Sequence, residues 1–489
     1  MGAGGGAGGQ GPQGGSSNDG STAKMFARHI LFTAALLAAM LAFTAAEFIP
    51  ITVQGIAPGA GLGDVVVLSD DVVFASAPSD VVEKVTCGTV YAFLKENGKW
   101  VSFAKIVPPV LAAQSLFGYA LAVSENWVAV GSPLQTSTAG SVFLFQHGAF
   151  DFPYRSVINS GQQSQTKPDF FGAALALTRT ELVVGSPGYS YNGMTDHGAA
   201  FVFRVSGNTW LPTETLAGND QIESIAVGVA VGIMDNMILV ASAGTLDSTG
   251  RLYIYTGSTL TASVNTINME RVRSVSISAA DGDILVGVTA DTDSATPGAV
   301  AVVRVVNGTW STEQVISPST KVNDGFGVSM ARSGDYVVIG SDLITDDSGK
   351  YIGGGYLYTL VDVNNQYVYS DFFNPPEGAG FFGRSIAIYD HVVMFGTPAD
   401  GDLLTGAVYV STNALPAVIV TPPSNGDSLA EKILMGVAMV ILVAVAVAVS
   451  ILLLLSATGF LVLACVSIGG KKTRDQYRNL TESERDLMI

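Results

Sequence analysis

The feature that most constrains this chain is a short apolar pattern that recurs along it seven times. The segment FGYALAVSENWVAVGSP at 117–133 has relatives that begin at residues 62, 171, 227, 272, 326 and 382. Most copies begin about 55 residues after the previous one, and only the degenerate copy at 272 follows more closely. A recurrence of this regularity is the signature of a repeat architecture, in which each copy is one supersecondary unit.

Each copy continues with a second half that is also rich in β-formers. A glycine leads into an apolar run, as in GTVYAFL at 88–94 or GAVYVST at 406–412, and turns such as ENGK or VNGT follow. Asn-Gly between such runs favours a hairpin. Four short strands in a unit of this length make one propeller blade, with an open solenoid as the alternative. The sequence therefore predicts an all-β fold over residues 47–415, a seven-bladed β-propeller of four-stranded blades.

The ends of the repeat region predict how the ring closes. The segment FIPITVQGIAP at 48–58 precedes the first copy, at the place where the fourth strand of a preceding blade would lie. Because no preceding blade exists, we expect this segment to complete the seventh blade. The segment LPAVIVTPP at 415–423 is the rival for that place.

Composition limits the classes of partner and the means of stabilisation. The 489 residues are 48% hydrophobic, only 13% charged, and carry a net charge of −17, so a nucleic-acid partner is excluded. The two cysteines, Cys87 and Cys465, lie on opposite sides of the membrane boundary that the hydropathy predicts. The repeat region therefore has neither a disulfide framework nor a cysteine-rich zinc site, and must be stabilised by packing.

The N-terminal region has the sequence features of a targeting segment. Residues 1–24 are glycine-rich, which predicts disorder. Lys24 and Arg28 then precede an apolar run that is too short for a membrane span but suits the core of a signal peptide. We assign a signal peptide to 25–46, with an uncleaved signal anchor as the alternative. Either one places the following residues on the exoplasmic side.

The C-terminal region predicts a single membrane crossing. Residues 433–468 carry no charge and exceed the length that a helix needs to cross. A stalk at 416–432 precedes this span, and Lys471, Lys472 and Arg474 follow it, which places the tail at 469–489 in the cytoplasm. The expected product is a membrane protein of the plasma membrane with its propeller outside the cell.

The repeated residues resemble a known motif. Phe-Gly, an apolar hairpin and a closing Gly-Ser/Thr-Pro are similar to the FG-GAP repeats of integrin alpha-chain propellers, and the match covers residues 62–410. The resemblance implies a β-propeller of a cell-surface glycoprotein that binds a protein or glycan ligand in adhesion or recognition. The integrin leg domains have no counterpart here. The motif residues are Phe117, Gly118, Gly131, Phe171, Gly172, Gly185, Phe326, Gly327, Gly340, Phe382, Gly383 and Gly396.

The chain departs from that family at the calcium loop. Many such repeats carry a D-x-[DN]-x-D-G loop between their first two strands, whereas this chain has tight turns such as SEN at 124–126. Calcium needs six to eight oxygen ligands, for which these turns offer no room. Aspartates in later loops are interpreted as solvated turn residues, with calcium binding as the alternative; they are Asp291, Asp293, Asp342, Asp346, Asp400 and Asp402.

No arrangement of residues in the sequence indicates catalysis. The chain has no G-x-S-x-G or H-E-x-x-H motif, and its few histidines lie in different repeats. His147 and His197 fall in loop-like contexts, where we expect surface residues. We therefore predict no catalytic residue, no cofactor and no enzymatic activity; a hydrolase with an unrecognised site on a propeller face is the alternative.

Ligand binding is expected at the longer loops, because propellers present variable loops on a rigid ring. These loops span residues 134–139, 188–197 and 343–353. The second contains Tyr189 and Tyr191, whose amphipathic side chains are common at interfaces. A flexible connector without a ligand is the alternative for this loop.

Two further motifs predict modification and sorting. Asn307-Gly308-Thr309 is an N-glycosylation acceptor sequence in a predicted hairpin turn. Tyr477 and Leu480 form a Y-x-x-Φ pattern, which resembles the tyrosine signal that clathrin adaptors read. Its position after the predicted span leaves residence in the endosomal or lysosomal membrane open as an alternative to the plasma membrane.

Overall fold

A computed structural model describes most of the repeat region. It covers residues 48–415, except for 70–71, 137–138, 149, 162–166, 246–247, 268–271, 291–296, 319–323, 362–364, 390–391, 402 and 413–414. The predicted leader, signal peptide, stalk, span and tail lie outside the described residues. Within the described part of the chain, no helix is both long and apolar enough to cross a membrane.

The described residues form an all-β fold of 32 strands. They are β1 (Phe48–Ile51), β2 (Val66–Ser69), β3 (Val72–Ala77), β4 (Val81–Val82), β5 (Val85–Thr86), β6 (Thr89–Glu96), β7 (Lys99–Ile106), β8 (Ala120–Val123), β9 (Trp127–Ser132), β10 (Ser141–Gln146), β11 (Tyr154–Ile158), β12 (Ala174–Leu177), β13 (Glu181–Ser186), β14 (Ala199–Ser206), β15 (Thr209–Leu216), β16 (Ala230–Met234), β17 (Met237–Ala241), β18 (Gly244–Thr245), β19 (Ser248–Thr249), β20 (Arg251–Thr256), β21 (Thr259–Asn265), β22 (Val272–Ala280), β23 (Asp283–Ala290), β24 (Ala299–Val306), β25 (Thr309–Ile316), β26 (Phe326–Ser333), β27 (Tyr336–Ser341), β28 (Gly354–Val361), β29 (Gln366–Phe373), β30 (Ser385–Tyr389), β31 (Val392–Thr397) and β32 (Ala407–Ser411).

Twenty-eight of these strands form seven antiparallel blades, which confirms the predicted propeller. Blades 1 to 7 have the strand orders β2-β3-β6-β7, β8-β9-β10-β11, β12-β13-β14-β15, β16-β17-β20-β21, β22-β23-β24-β25, β26-β27-β28-β29 and β30-β31-β32-β1. The remaining strands form two small hairpins, β4-β5 and β18-β19. The first strand of each blade contacts the first strands of both neighbouring blades, including β2 with β30. The ring is therefore closed.

The N-terminal strand completes the last blade. β1 pairs antiparallel with β32, so that Phe48 lies opposite Ser411 and Ile51 opposite Val408. This pairing confirms the expectation that 48–58 supplies the missing fourth strand. Phe48 also packs edge-on against Phe382, with ring centroids 5.2 Å apart. The first described strand and the last blade thus share one core.

The core lies in the second and third strands of the blades. Every described residue of β9 is buried, as its continuous apolar sequence WVAVGS predicts for a strand covered on both faces. The motif residue Phe117 is fully buried and contacts Phe143 of the third strand, with ring centroids 5.6 Å apart. Phe171 and Phe201 repeat this contact at 5.4 Å in blade 3. The motif phenylalanines are thus core residues.

The motif glycines lie where adjacent blades approach most closely. A Cβ atom at Gly131 would lie 2.1 Å from the carbonyl oxygen of Gly172 in the next blade, a distance that real contacts do not allow. Gly172 itself has a φ of +91°, which favours glycine. The same contact joins later blades, at Gly185 to Gly228 (2.0 Å), Gly287 to Gly327 (2.3 Å), Gly340 to Gly383 (2.1 Å) and Gly396 to Gly63 (1.9 Å).

Serine hydroxyls strengthen the contacts between blades on one side of the ring. Ser276, Ser329 and Ser385 each donate a 2.8 Å hydrogen bond to the carbonyl oxygen of the following blade's motif glycine. The bond from Ser385 reaches Gly63 and so joins blade 7 to blade 1 across the closure of the ring. Each bond supplies a donor to a carbonyl group at the contact between two blades.

A buried ion pair within blade 5 is joined to blade 6 by a tyrosine hydroxyl. The guanidinium of Arg304 donates to both carboxylate oxygens of Asp283 at 2.6 and 2.8 Å, and the hydroxyl of Tyr367 donates to Asp283 at 3.0 Å. Burial disfavours the charged carboxylate, but the hydrogen bonds and positive charge of Arg304 outweigh it. The pKa of Asp283 therefore lies below the ordinary value of 3.8.

The close approach between blades predicts the effect of one methyl group. Gly131→Ala should destabilise the protein by about 3 kcal/mol or more, because only movement of a whole blade relieves the clash with backbone. Gly232→Ala is the control, since its Cβ would meet side-chain atoms, the nearest at 3.1 Å. Denaturant unfolding of the purified variants measures both. Equal midpoints for the two variants would contradict this account of the motif.

The Asp283 pair predicts a dependence of stability on acid. The pKa of Asp283 is lower in the folded protein than in the unfolded chain. The pair therefore stabilises the protein fully at a pH above the unfolded pKa, and this stabilisation is lost as the pH falls through the folded pKa. Asp283→Asn should lower the free energy of unfolding by about 3–5 kcal/mol at neutral pH. On acidification the variant should lose less stability than the parent protein. Glu125→Gln, which removes an exposed partner of Arg179, should change stability by about 1 kcal/mol or less. Thermal unfolding between pH 7 and pH 3 tests this; parallel curves for Asp283→Asn and parent would refute it.

Candidate functional site

The connections between strands divide the ring into two faces. We call the loop face the side that carries the loops from second to third strands and the connections from one blade to the next. The motif serines join these two kinds of segment: Ser132 and Ser186 donate 2.8 Å hydrogen bonds to the carbonyl oxygens of Ser115 and Asp169. The turn face carries the tight turns, as where the N–H of His147 donates to the carbonyl of Asn126.

All three predicted ligand loops begin on the loop face, and the loop at 188–197 is described completely. Tyr189 is half-buried and packs against Phe201, with ring centroids 5.0 Å apart. Tyr191 pairs with Met194 through two backbone hydrogen bonds, which form a small hairpin with Asn192 and Gly193 exposed at its tip. The tyrosines therefore shape the loop, and the exposed tip is what the loop presents to solvent.

The prediction that His197 is a surface residue is wrong. Its side chain is buried, and its two ring nitrogens lie 2.6 Å from the carbonyl oxygen of Ile222 and 2.8 Å from that of Ala217. His197 thereby ties the loop of blade 3 to the connection that leads into blade 4. His147 is half-buried on the turn face, where it contacts the ring of Phe74. The loop context of both histidines hid these tertiary contacts.

The prediction that Asp342 is a solvated turn residue is wrong, because its side chain is buried in an ion-pair chain across four blades. It is buried between Arg273 of blade 5 and Arg384 of blade 7, which donate to its Oδ2 at 3.1 and 3.2 Å. Arg384 also donates to Asp64 of blade 1 at 3.3 Å. Burial lowers the pKa of Arg384, but the two carboxylates outweigh it and raise the pKa. The chain of charges therefore holds the ring together beside its closure.

The other acidic candidates have local partners or lie outside the described residues. Asp346 is exposed and accepts hydrogen bonds from Ser348 and from the backbone N–H of Lys350, which closes its own turn. Asp400 accepts from the hydroxyl of Tyr409 at 3.1 Å. Among the described residues, no group of three or more His, Cys, Asp or Glu side chains is placed to hold a metal ion. The candidates that are not described are Asp291, Asp293 and Asp402, together with the sorting residues Tyr477 and Leu480.

A tyrosine–aspartate pair recurs on the loop face in four blades. The tyrosine always lies three residues after the glycine that leads into the third strand. The pairs are Tyr91 with Asp80, Tyr253 with Asp220, Tyr356 with Asp324, and Tyr409 with Asp400. In blade 1 the pair is sealed by Lys105, which lies 2.9 Å from Asp80. The pair is thus a structural device that ties the end of a third strand to the loop face.

In blade 4 the same pair lines an open cavity. Its volume is about 210 Å³. Arg251 lies 3.4 Å from Asp220, and its backbone N–H donates to Ser242 at 3.1 Å. The cavity residues are Asp220, Ile222, Ile225, Ser242, Thr249, Arg251, Tyr253 and Asn265. A carboxylate, a guanidinium, an amide and several hydroxyls therefore converge on one small space, which makes this cavity the candidate site.

Close packing fixes the position of Tyr253, which lines the cavity. Gly218 has a φ of +71°, and a Cβ there would lie 2.7 Å from the ring of Tyr253, so only glycine lets the chain pass over this ring. The N–H of Gly218 donates to the hydroxyl of Tyr255 at 2.7 Å. Burial raises the pKa of Tyr255 to about 12, and burial together with the Asp220 carboxylate raises that of Tyr253. Both phenols are therefore neutral hydrogen-bonding groups at physiological pH.

Sequence reasoning missed this site. Its residues come from the connection before blade 4, from the segment between the second and third strands of that blade, and from its third and fourth strands, so no short motif contains them. The tyrosine in GRLYIYT was a signal, since four of the seven copies share it. The aspartate partners of these tyrosines gave no signal in the sequence, because their spacing varies. Asp80 precedes its tyrosine by 11 residues, whereas Asp220 precedes its tyrosine by 33.

The predicted glycosylation residue is exposed on the turn face. Asn307 and Gly308 form the two-residue turn between β24 and β25, with φ angles of +53° and +79°. This is the geometry of a tight Asn-Gly hairpin turn. The side chain of Asn307 is therefore accessible, and its modification stays a prediction.

Comparison with known proteins supports the repeat and the fold. The model of the FG-GAP repeat family matches residues 100–145, which begin within the last strand of blade 1 and end in the third strand of blade 2. The chain is thus a seven-bladed β-propeller that carries an FG-GAP repeat. No curated protein matches the sequence significantly.

Two of the solved structures that match this chain have low sequence identity to it. A proposed 6-phosphogluconolactonase from Bacteroides uniformis is 11% identical, with a TM-score of 0.44 over 67% of this chain and 90% of that one. A proposed 6-phosphogluconolactonase from Bacteroides fragilis is 10% identical, with a TM-score of 0.43 over 69% of this chain and 93% of that one. Similarity at this level carries no argument about activity.

Proposed function

We propose that this protein is a single-pass membrane protein whose exoplasmic propeller binds a protein or glycan ligand through its loop face. The observation that carries the proposal is the coincidence of two features on that face. The loop at 188–197 and the polar cavity of blade 4 are neighbours, because His197 of the loop contacts the backbone of Ile222, which lines the cavity. Recognition needs such a convergence of polar groups on a rigid frame.

The frame suits recognition rather than conformational change. Contacts between backbones, serine hydrogen bonds and an ion-pair chain join consecutive blades, and β1 closes the ring. Loops on such a frame lose little conformational entropy when they bind, which favours affinity. The proposal is of binding without catalysis. The charge pattern around the predicted signal peptide and span supports the exoplasmic position of the propeller.

A pair of engineered glycans tests both the topology and the binding face. Met194→Thr turns Asn192-Gly193-Met194 into a glycan acceptor sequence at the exposed tip on the loop face. Lys99→Thr does the same for Asn97-Gly98-Lys99, an exposed turn of the same type on the turn face. On the exoplasmic side each variant gains one glycan, which slows its electrophoretic migration until a glycosidase removes it.

The two variants should differ in binding. In cells that express the full chain, Met194→Thr should abolish adhesion to partner cells and matrix, whereas Lys99→Thr should leave it at the parental level. Neither variant gaining a glycan would contradict the exoplasmic topology. Equal loss of adhesion in both variants, or none in Met194→Thr, would contradict binding through the loop face.

The natural acceptor sequence offers an independent test of topology. Asn307→Gln should remove one glycan from the parental protein, because Asn307 lies in an exposed turn. Electrophoresis before and after glycosidase treatment measures the change. If parent and variant migrate identically under both conditions, Asn307 is not modified.

A further inference from the structure

We propose that the cavity of blade 4 binds one neutral sugar residue of a glycan. This inference rests on the proposed function and names the ligand class of the same face. The cavity volume of about 210 Å³ exceeds that of about 150 Å³ at which an engineered cavity accepts benzene. It is also well below the range of about 300–1,000 Å³ that is usual for drug-sized ligands. A single sugar ring is a ligand of this size.

The hydrogen-bonding groups of the cavity match the chemistry of sugar hydroxyls. A hydroxyl both donates and accepts, so it is satisfied by a carboxylate on one side and by a guanidinium or an amide on the other. Asp220 supplies the acceptor, Arg251 the donor, and Asn265 supplies both. Ile222 is 38% exposed beside them and offers an apolar surface for the C–H groups of the ring.

The charge of the cavity favours a neutral sugar over an acidic one. The guanidinium of Arg251 lies 3.4 Å from the carboxylate of Asp220, so the two formal charges cancel. No other Lys, Arg, Asp or Glu lines the cavity among the described residues. A sialylated or sulfated sugar would therefore meet a carboxylate without a surplus cation, in a chain whose net charge is −17.

Comparison with the equivalent pair of blade 1 shows what distinguishes blade 4. The side chain of Asp80 is 2% exposed, because Lys105 and two hydroxyl donors surround it. The side chains of Asp220 and Arg251 are 14% and 37% exposed. The basic partners Lys105 and Arg251 are similarly exposed, so the two sites differ in the aspartate, which is covered in blade 1 and partly accessible in blade 4. Accessible partners can exchange water for ligand hydroxyls, whereas sealed ones cannot.

An array of immobilised glycans tests the inference with the full-length protein. The array carries neutral oligosaccharides that end in different hexoses and N-acetylhexosamines, with sialylated and sulfated glycans beside them. The parental protein should bind a subset of the neutral glycans, and millimolar free monosaccharide should displace it. Arg251→Gln and Asn265→Ala should each lower the affinity about tenfold or more, since each removes hydrogen bonds to the ligand.

Matched controls separate binding from folding. Asp400→Asn changes the equivalent acid of blade 7, which does not line this cavity, and should bind the array like the parent. Asn265 is exposed at the end of β21, so Asn265→Ala should unfold at the parental temperature. A loss of binding by Asn265→Ala with unchanged unfolding is then a loss of a ligand contact.

Each contrary outcome has a definite meaning. Preference for sialylated or sulfated glycans, or parental affinity in both cavity variants, overturns the assignment of a neutral sugar to this cavity. A blank array with adhesion that Met194→Thr still abolishes overturns the sugar inference and leaves the proposed function standing. If no glycan on the array is bound and adhesion does not depend on the loop face, both the sugar inference and the proposed function are overturned.

Discussion

The structure depends on the approach of a second-strand glycine to the carbonyl group of a glycine in the next blade, a contact that five of the seven blades make. At Gly131 no side chain fits, because a Cβ there would lie 2.1 Å from the oxygen of Gly172. The spacing between blades is thereby set by backbone atoms, which cannot rearrange as side chains do. Two blades differ: blade 1 has Ser76 at this position, and blade 4 has Ala241. The blade that follows blade 4 is the degenerate copy that lacks Phe-Gly.

A ring set by backbone contacts leaves its faces free to vary. The turn face is built of tight turns, while the loop face receives longer loops, the tyrosine–aspartate pairs and the cavity of blade 4. The tyrosine–aspartate pair has a structural role in blade 1 and also lines a cavity in blade 4. In blade 1 the aspartate is covered and the pair stabilises the fold, whereas in blade 4 the aspartate is partly accessible beside Arg251. A binding site can arise in this way from a structural contact, without any new element.

Much of the fold could be predicted from the sequence, since its determinants are local and repeated. The seven copies, the buried second strands and the use of 48–51 as the closing strand are confirmed. The candidate site could be predicted only in part. The loop at 188–197 borders the cavity, but Tyr189 packs against Phe201 of β14 and Tyr191 stacks on His197. His197 is buried where a surface residue was expected. Loop sequences do not reveal which residues their neighbours will cover.

By itself, the sequence determined the number of blades, their strand order and the glycines at most of their contacts, because the periodic pattern and the steric requirement for glycine are local and repeated. Only the tertiary structure decided which polar residues meet. Asp220 and Tyr253 are 33 residues apart, and Arg273 and Asp342 are 69 apart. Such partners are brought together by the curvature of the ring and the path of its connections. Since hydrogen bonds and ion pairs act over a few ångströms in space, sequence spacing carries little information about them.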